Sequence, residues 1–156
     1  MGSDITQDMH VELFVRVNPS HGVEQQKQAV IDRLRTLERK GNIASVDVHV
    51  WGREIRLNGP LEGTDYHESV INHVTEFEQW LAENSASMDG FFSHRDIDSS
   101  ISDECYSVIS LPFTCLAVYQ DDELRDLYPH RDSKTIHTVH DCLNRLETEN
   151  SRKGTQ

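Results

Sequence analysis

The chain has 156 residues, which suits one domain with an ordinary core, and its 27 acidic against 15 basic residues leave a net charge of −12. No apolar run approaches the ~20 residues of a membrane span, and the opening MGSDITQDMH is acidic and polar where a signal peptide would be basic and then apolar. A soluble, cytoplasmic protein with no membrane partner is expected, and at low salt the charge disfavours nucleic acid and favours a basic partner.

The polar start, residues 1–8, is expected to be a disordered tail. VELFVRV (11–17) then alternates, with Val11, Leu13, Val15 and Val17 on one side and Glu12 and Arg16 on the other, which predicts a half-buried strand. NPSHG breaks the pattern, Ser20 is a fit N-cap, and Val23, Val30, Ile31, Leu34 and Leu37 recur at helical spacing, so a helix is predicted over 21–40, closed by Gly41. IASVDVHVWG alternates again, with Val46, Val48 and Val50 turned inward. The result is a strand–helix–strand unit, whose crossover would be right-handed if the strands are parallel.

A short strand at Ile55 and Leu57 leads into a Gly/Pro loop, and Thr64 caps a second helix with an apolar stripe of Val70, Ile71, Val74, Phe77 and Leu81, ending near Glu83. From Phe91 the period becomes that of strands: FFSHRDIDS, CYSVISLPF, TCLAVYQ, the turn DDE and LRDLYPH, read as an antiparallel β-meander. A C-terminal helix is predicted over 139–147, with a disordered tail at 149–156. No repeat or shift in composition divides the chain. One α+β domain over 9–148 is expected, its helices packed on one face of a mostly antiparallel sheet.

TIHTVHDCLNRLE (135–147) places two histidines and a cysteine close together in a chain with three cysteines. With Thr138 as N-cap, Val139, Cys142, Leu143 and Leu146 form a core stripe, Asp141 stands where the helix dipole favours a carboxylate, and His140 points away. His140 and Cys142 lie about 200° apart around a helix axis, so they do not share an ion. The residue types still make His137, His140, His130 and Cys105 the candidate metal-ligand set, but no CxxC or HExxH spacing supports it. The cap-and-core reading is preferred and no cofactor is expected.

Catalytic patterns are absent. There is no Gly-x-Ser-x-Gly turn, Walker loop or dinucleotide glycine motif, and Cys105 sits beside Asp103 and Glu104, which would raise its pKa. The His-Arg-Asp triplets at 94–96 and 130–132 lack the rest of a kinase catalytic loop, and turn chemistry accounts for them. No enzyme is expected. The one basic concentration is Arg33, Arg35, Arg39 and Lys40 at the end of the first helix, where cations complement its dipole. With Arg53 and Arg56 it offers a basic face for nucleic acid or a partner, and Trp51 is the candidate exposed aromatic beside it.

VELFVRV, IASVDVHVWG, FEQWLAEN, LPFTCLAVY and HTVHDCLNRLE together resemble small haloarchaeal proteins labelled helix-turn-helix domain-containing, a likeness covering residues 11–147. The resemblance implies a cytoplasmic, transcription-associated role. Only four of the 15 basic residues are lysines. That composition fits a protein working in concentrated salt, where repulsion among carboxylates is screened within ~3 Å. The expected function is therefore a regulatory or interaction protein with a protein partner or a second copy of itself. A small-molecule or metal sensor using a His/Cys pocket is the alternative.

Overall fold

The computed structural model describes residues 9–17, 21–57, 62–87, 92–99, 104–132 and 135–154. In chain order they form β1 (Met9–Arg16), α1 (His21–Lys40), β2 (Ser45–Trp51), β3 (Glu54–Arg56), α2 (Asp65–Glu83), β4 (Ala86–Ser87), β5 (His94–Ser99), β6 (Glu104–Ser110), β7 (Thr114–Gln120), β8 (Glu123–Tyr128), β9 (His130–Asp132), β10 (Thr135–His137) and α3 (Val139–Gly154). The α+β class, the strand–helix–strand opening and the C-terminal helix are as the sequence predicts. The proposed N-cap Ser20 and the tail at 1–8 lie outside the described residues.

The central sheet has the order β2-β1-β7-β8, with β1 parallel to β2 and the other pairs antiparallel. Parallel neighbours need a long return, and α1 is that return. It stops at Gly41, whose φ of +82° lets the chain turn while Gly41 N–H and Asn42 N–H donate to the Glu38 and Leu37 carbonyls at 3.1 and 3.0 Å.

Helices cover both faces of this sheet rather than one. Val11, Leu13, Val15, Leu116 and Val118 pack with Leu34 and Leu37 of α1 and Leu143 and Leu146 of α3. Phe14, Trp51, Cys115, Ala117 and Leu127 pack with Val74, Phe77 and Leu81 of α2. The alternation in VELFVRV hid this because Glu12 and Arg16 flank Phe14, which anchors the second core. In TCLAVYQ the apolar run is unbroken, as in strands buried on both faces. Removing the bulk of a fully buried residue such as Leu34 or Leu143 costs roughly 2–5 kcal/mol.

The expected meander is divided between sheets. β5–β6 joins β3 in a sheet of order β3-β6-β5, while β7–β8 belongs to the central sheet, and β10-β9-β4 form a third. The break falls at Leu111-Pro112-Phe113, where proline has no N–H to continue a ladder. Two side chains hold that corner. Arg16 Nε donates to the Leu111 carbonyl at 2.9 Å with its guanidinium 4.3 Å from the Phe113 ring centre, and Trp51 Nε1 donates to the Pro112 carbonyl at 3.1 Å.

Of the expected caps, the two within the described residues, Thr64 and Thr138, are formed. Thr64 Oγ1 accepts from His67 N–H at 3.2 Å at the start of α2. Thr138 Oγ1 accepts from Asp141 N–H at 3.1 Å, and Asp141 Oδ2 accepts from Thr138 N–H at 2.9 Å at the start of α3. That second bond, above all, holds the Asp141 carboxyl below the ordinary range. α3 continues past 147 to Gly154. Among the described residues no helix is long and apolar enough to cross a membrane.

Candidate functional site

Among the described residues, two polar concavities stand out on this frame. The larger, of about 590 Å³, lies beside α2, and His10, Glu12, Ser45, His73, Glu76 and Tyr119 supply most of its polar lining. Strand alternation places His10 and Glu12 on the same face of β1 as Phe14. α2 covers Phe14 with Phe77 and His73, at ring separations of 5.4 and 4.8 Å, and the polar end of the strand is left to line the cleft.

Glu12 is the hub. One of its oxygens accepts from His49 Nε2 at 2.8 Å and the other lies 3.5 Å from His10 Nε2. His10 Nε2 is also 3.2 Å from Asp47, and its Nδ1 meets Ser45 Oγ. Across the cleft Tyr119 OH donates to Glu76 at 2.7 Å. Burial, then Glu76, pushes the Tyr119 hydroxyl pKa up, so the phenol stays a donor. Burial holds His73 below the ordinary imidazole range, with His49 adding to the effect and Glu12 and Glu76 pulling against it. The cleft can therefore offer carboxylates and a neutral imidazole to a small ligand.

The second concavity, about 270 Å³, lies at the β9–β10 hairpin and is lined in part by Trp80, Tyr128, His130, Asp132 and His137. β10 pairs antiparallel with β9, so His137 stands opposite His130, and Asp132 is two residues beyond His130 on the same face. One ligand atom from each of the three lies within 4.8 Å of the others.

Of the metal candidates named from sequence, His130 and His137 come together here. His140 is exposed on α3 with its Nδ1 3.4 Å from Arg33 Nη1, outside this group. The backbone of Cys105 is in β6 opposite Asp98, in a different sheet, and its side chain lies outside those described. Asp132 was missed. The signal for it was present in His130-Arg131-Asp132, where the strand period puts the first and third residues on one face.

The basic residues do not form one face. Arg39 and Lys40 end α1 just before β2 begins, whereas Arg53 and Arg56 follow its far end, and a seven-residue strand separates them by about 20 Å. Several are engaged within the fold. Arg33 pairs with Glu147 at 2.8 Å, Arg35 donates to the Val46 carbonyl at 3.2 Å, Arg39 donates to Thr36 Oγ1 at 3.0 Å, and Arg56 stacks 3.8 Å over the Tyr106 ring. Trp51 is not an exposed aromatic. It is 1 % exposed, because the strand period turns it to the same side as Phe14.

A family model described as a helix-turn-helix domain matches residues 3–151. The chain belongs to that helix-turn-helix domain family. No curated protein and no solved structure matches the chain. A helix-turn-helix joins two helices through a turn of three or four residues. In this family member α1 and α2 are separated by β2 and β3, and α2 and α3 by β4 to β10, so no two consecutive described helices make that motif. The three described helices turn apolar stripes into the two cores.

Proposed function

We propose that the protein is a non-enzymatic, cytoplasmic regulator of a halophilic archaeon, tied to transcription by its family and acting through a second copy of itself or another protein partner. The observation that carries this reading is the placement of the helices. A recognition helix follows its partner helix across a tight turn and turns an open face to the major groove, whereas strands stand between each consecutive pair of α1, α2 and α3, and each packs its apolar stripe on the sheet. The acidic, lysine-poor composition supports a halophilic source and a weak direct role for phosphate contacts.

The second copy is supported by the edge of the central sheet. β2 is outermost, and its Val46 N–H and C=O are occupied by Glu38 and Arg35 of α1 at 3.2 Å each. Val48 and Val50, two and four residues on, direct their backbone groups to the same edge, and Val50 is 54 % exposed. Two copies joined along β2 would form a self-complementary interface.

Mass measurement by light scattering in molar KCl, alongside anisotropy with promoter DNA, tests the proposal. A dimer that Val50→Lys converts to a folded monomer is expected, with no sequence-specific DNA binding by the chain alone. A monomeric wild type that binds a specific DNA site at molar salt overturns it.

The cleft beside α2 favours a second reading, that the regulator senses a small cationic ligand. Its carboxylates Glu12, Glu76, Asp121 and Asp122 converge on one space. Thermal shifts with a polyamine should appear in the wild type and shrink in Glu12→Gln. Equal shifts in both proteins would remove the cleft from the proposal.

A further inference from the structure

We propose that the β9–β10 hairpin binds one divalent first-row transition-metal ion of the zinc class, with His130, Asp132 and His137 as its protein ligands. The inference is independent of how the protein meets its partner.

The register brings the three groups together. His130 and Asp132 share a face of β9, and His137 is the residue paired with His130 across the hairpin. The two imidazoles lie face to face, 4.6 Å between centres and 25° between planes. His137 Nε2 is 3.0 Å from Asp132 Oδ2, and the full set of donor atoms fits within 4.8 Å. Metal–nitrogen bonds of about 2.0–2.1 Å in a tetrahedron put neighbouring donors about 3.4 Å apart. Side-chain rotations of about an ångström close the set on an ion.

His130 is already prepared for this role. It is 8 % exposed, walled by Trp80 and Tyr128 with ring centres 5.4 Å away in each case. Its Nδ1 donates to the Leu127 carbonyl at 2.5 Å. A histidine that gives its Nδ1 proton to a backbone carbonyl keeps the Nε2 lone pair for a metal and holds its ring in one orientation. Two imidazoles and a carboxylate suit Zn²⁺, Co²⁺, Ni²⁺ or Fe²⁺ better than Mg²⁺ or Ca²⁺, which take oxygen ligands. The adjoining cavity leaves room for water or an outside ligand to complete the sphere.

Two arginines line the same cavity and oppose a cation. Arg145 donates to Tyr128 OH at 2.7 Å and lies 3.7 Å from Asp126, while Arg125 lies 3.8 Å from Glu123, so each has an acidic neighbour. The competing account is a plain ion pair between His137 and Asp132 beside a His130 that serves as a core side chain held by Leu127, Trp80 and Tyr128, and it predicts no metal binding. With a metal bound, residues before and after the 133–134 connection would be tied together one residue before Thr138, the cap of α3.

Cobalt provides the test. The chelator-stripped 156-residue chain, in molar KCl to mask exposed carboxylates, is titrated with Co²⁺ and then with Zn²⁺. The expected result is one equivalent of Co²⁺ with visible d–d absorption, displaced by Zn²⁺. Asp132→Asn and His137→Gln should each weaken binding at least about tenfold, since loss of even an outer partner of a metal ligand costs that much. Both residues are partly exposed, so the variants should fold, and circular dichroism checks that they do. His140→Gln and His94→Gln, at exposed positions outside both concavities, should bind as the wild type does. No absorption in the wild type, or binding undiminished in Asp132→Asn and His137→Gln, overturns the proposal. So does an equal loss in His94→Gln.

Discussion

Arg33 of α1 grips Glu147 of α3 through two parallel bonds, Nη2 to Oε1 at 2.8 Å and Nε to Oε2 at 3.1 Å. A third bond from the same guanidinium reaches Asn144 Oδ1 at 3.0 Å, so a side chain that reads as a nucleic-acid contact in sequence fastens two helices instead. The bond from Arg33 holds the Glu147 carboxyl below the ordinary carboxylate range. Both side chains are partly open to solvent, which limits their coupling in a double-mutant cycle of Arg33→Ala and Glu147→Ala to about 0.5–1 kcal/mol at low salt. In molar KCl the coupling should fall towards zero, because charges at that ionic strength are screened within ~3 Å. Chemical denaturation at the two salt concentrations measures it.

Thr138→Ala should cost about 1 kcal/mol of stability, the usual effect of removing an N-cap hydroxyl. The reciprocal bond from Thr138 N–H to Asp141 survives that change. Asp141 has its pKa depressed in the folded state, so its contribution is present above the unfolded-state pKa and is lost as pH falls through the folded one. Asp141→Asn should therefore narrow its stability gap from the wild type as the solution is made acidic. Urea unfolding across that range reads both effects.

Trp51 and Trp80 are both buried, and Trp51 gives its indole N–H to the Pro112 carbonyl. Native fluorescence should be blue-shifted and poorly quenched by iodide. Trp51→Phe keeps much of the packing but leaves that carbonyl without its donor, which costs roughly 1–3 kcal/mol. Strong iodide quenching in the native state would contradict the burial of these rings.

His73 supplies a test in pH. Its folded-state pKa lies below the ordinary imidazole value, chiefly through burial, so near its titration the unfolded chain binds more protons than the folded one. That contribution is complete above about pH 6.5. It is lost as pH falls towards the folded value. His73→Asn should therefore lose less stability than the wild type between neutral and mildly acidic pH, as thermal melts at matched salt can show. An identical slope in both proteins would mean that Glu12 and Glu76 cancel the cost of burying the charge.

Local patterns determined the elements. The helical spacing ended by Gly41, the Thr64 and Thr138 caps, the alternation of 11–17 and 45–51 and the strand run from 94 to 128 all depend on neighbours within a few residues, where backbone geometry and side-chain periodicity act directly. The core face of α3 follows the same logic, with Val139, Cys142, Leu143 and Leu146 buried at the expected spacing.

Tertiary structure decided what packs against what. The division of the meander at Pro112, the burial of Trp51 and the covering of both faces of β1 depend on which sheet each strand joins, a choice made by long-range packing. The same holds for the sites. His10, Glu12 and His73 reach one cleft only because β1 lies under α2, and His130, Asp132 and His137 meet only through the β9–β10 register. Arg33 and Glu147 are 114 residues apart, and no periodicity of either helix encodes their meeting. Side-chain chemistry is written in the chain, but its concentration into a site comes from contacts whose stabilisation appears only when distant segments have lost their freedom together.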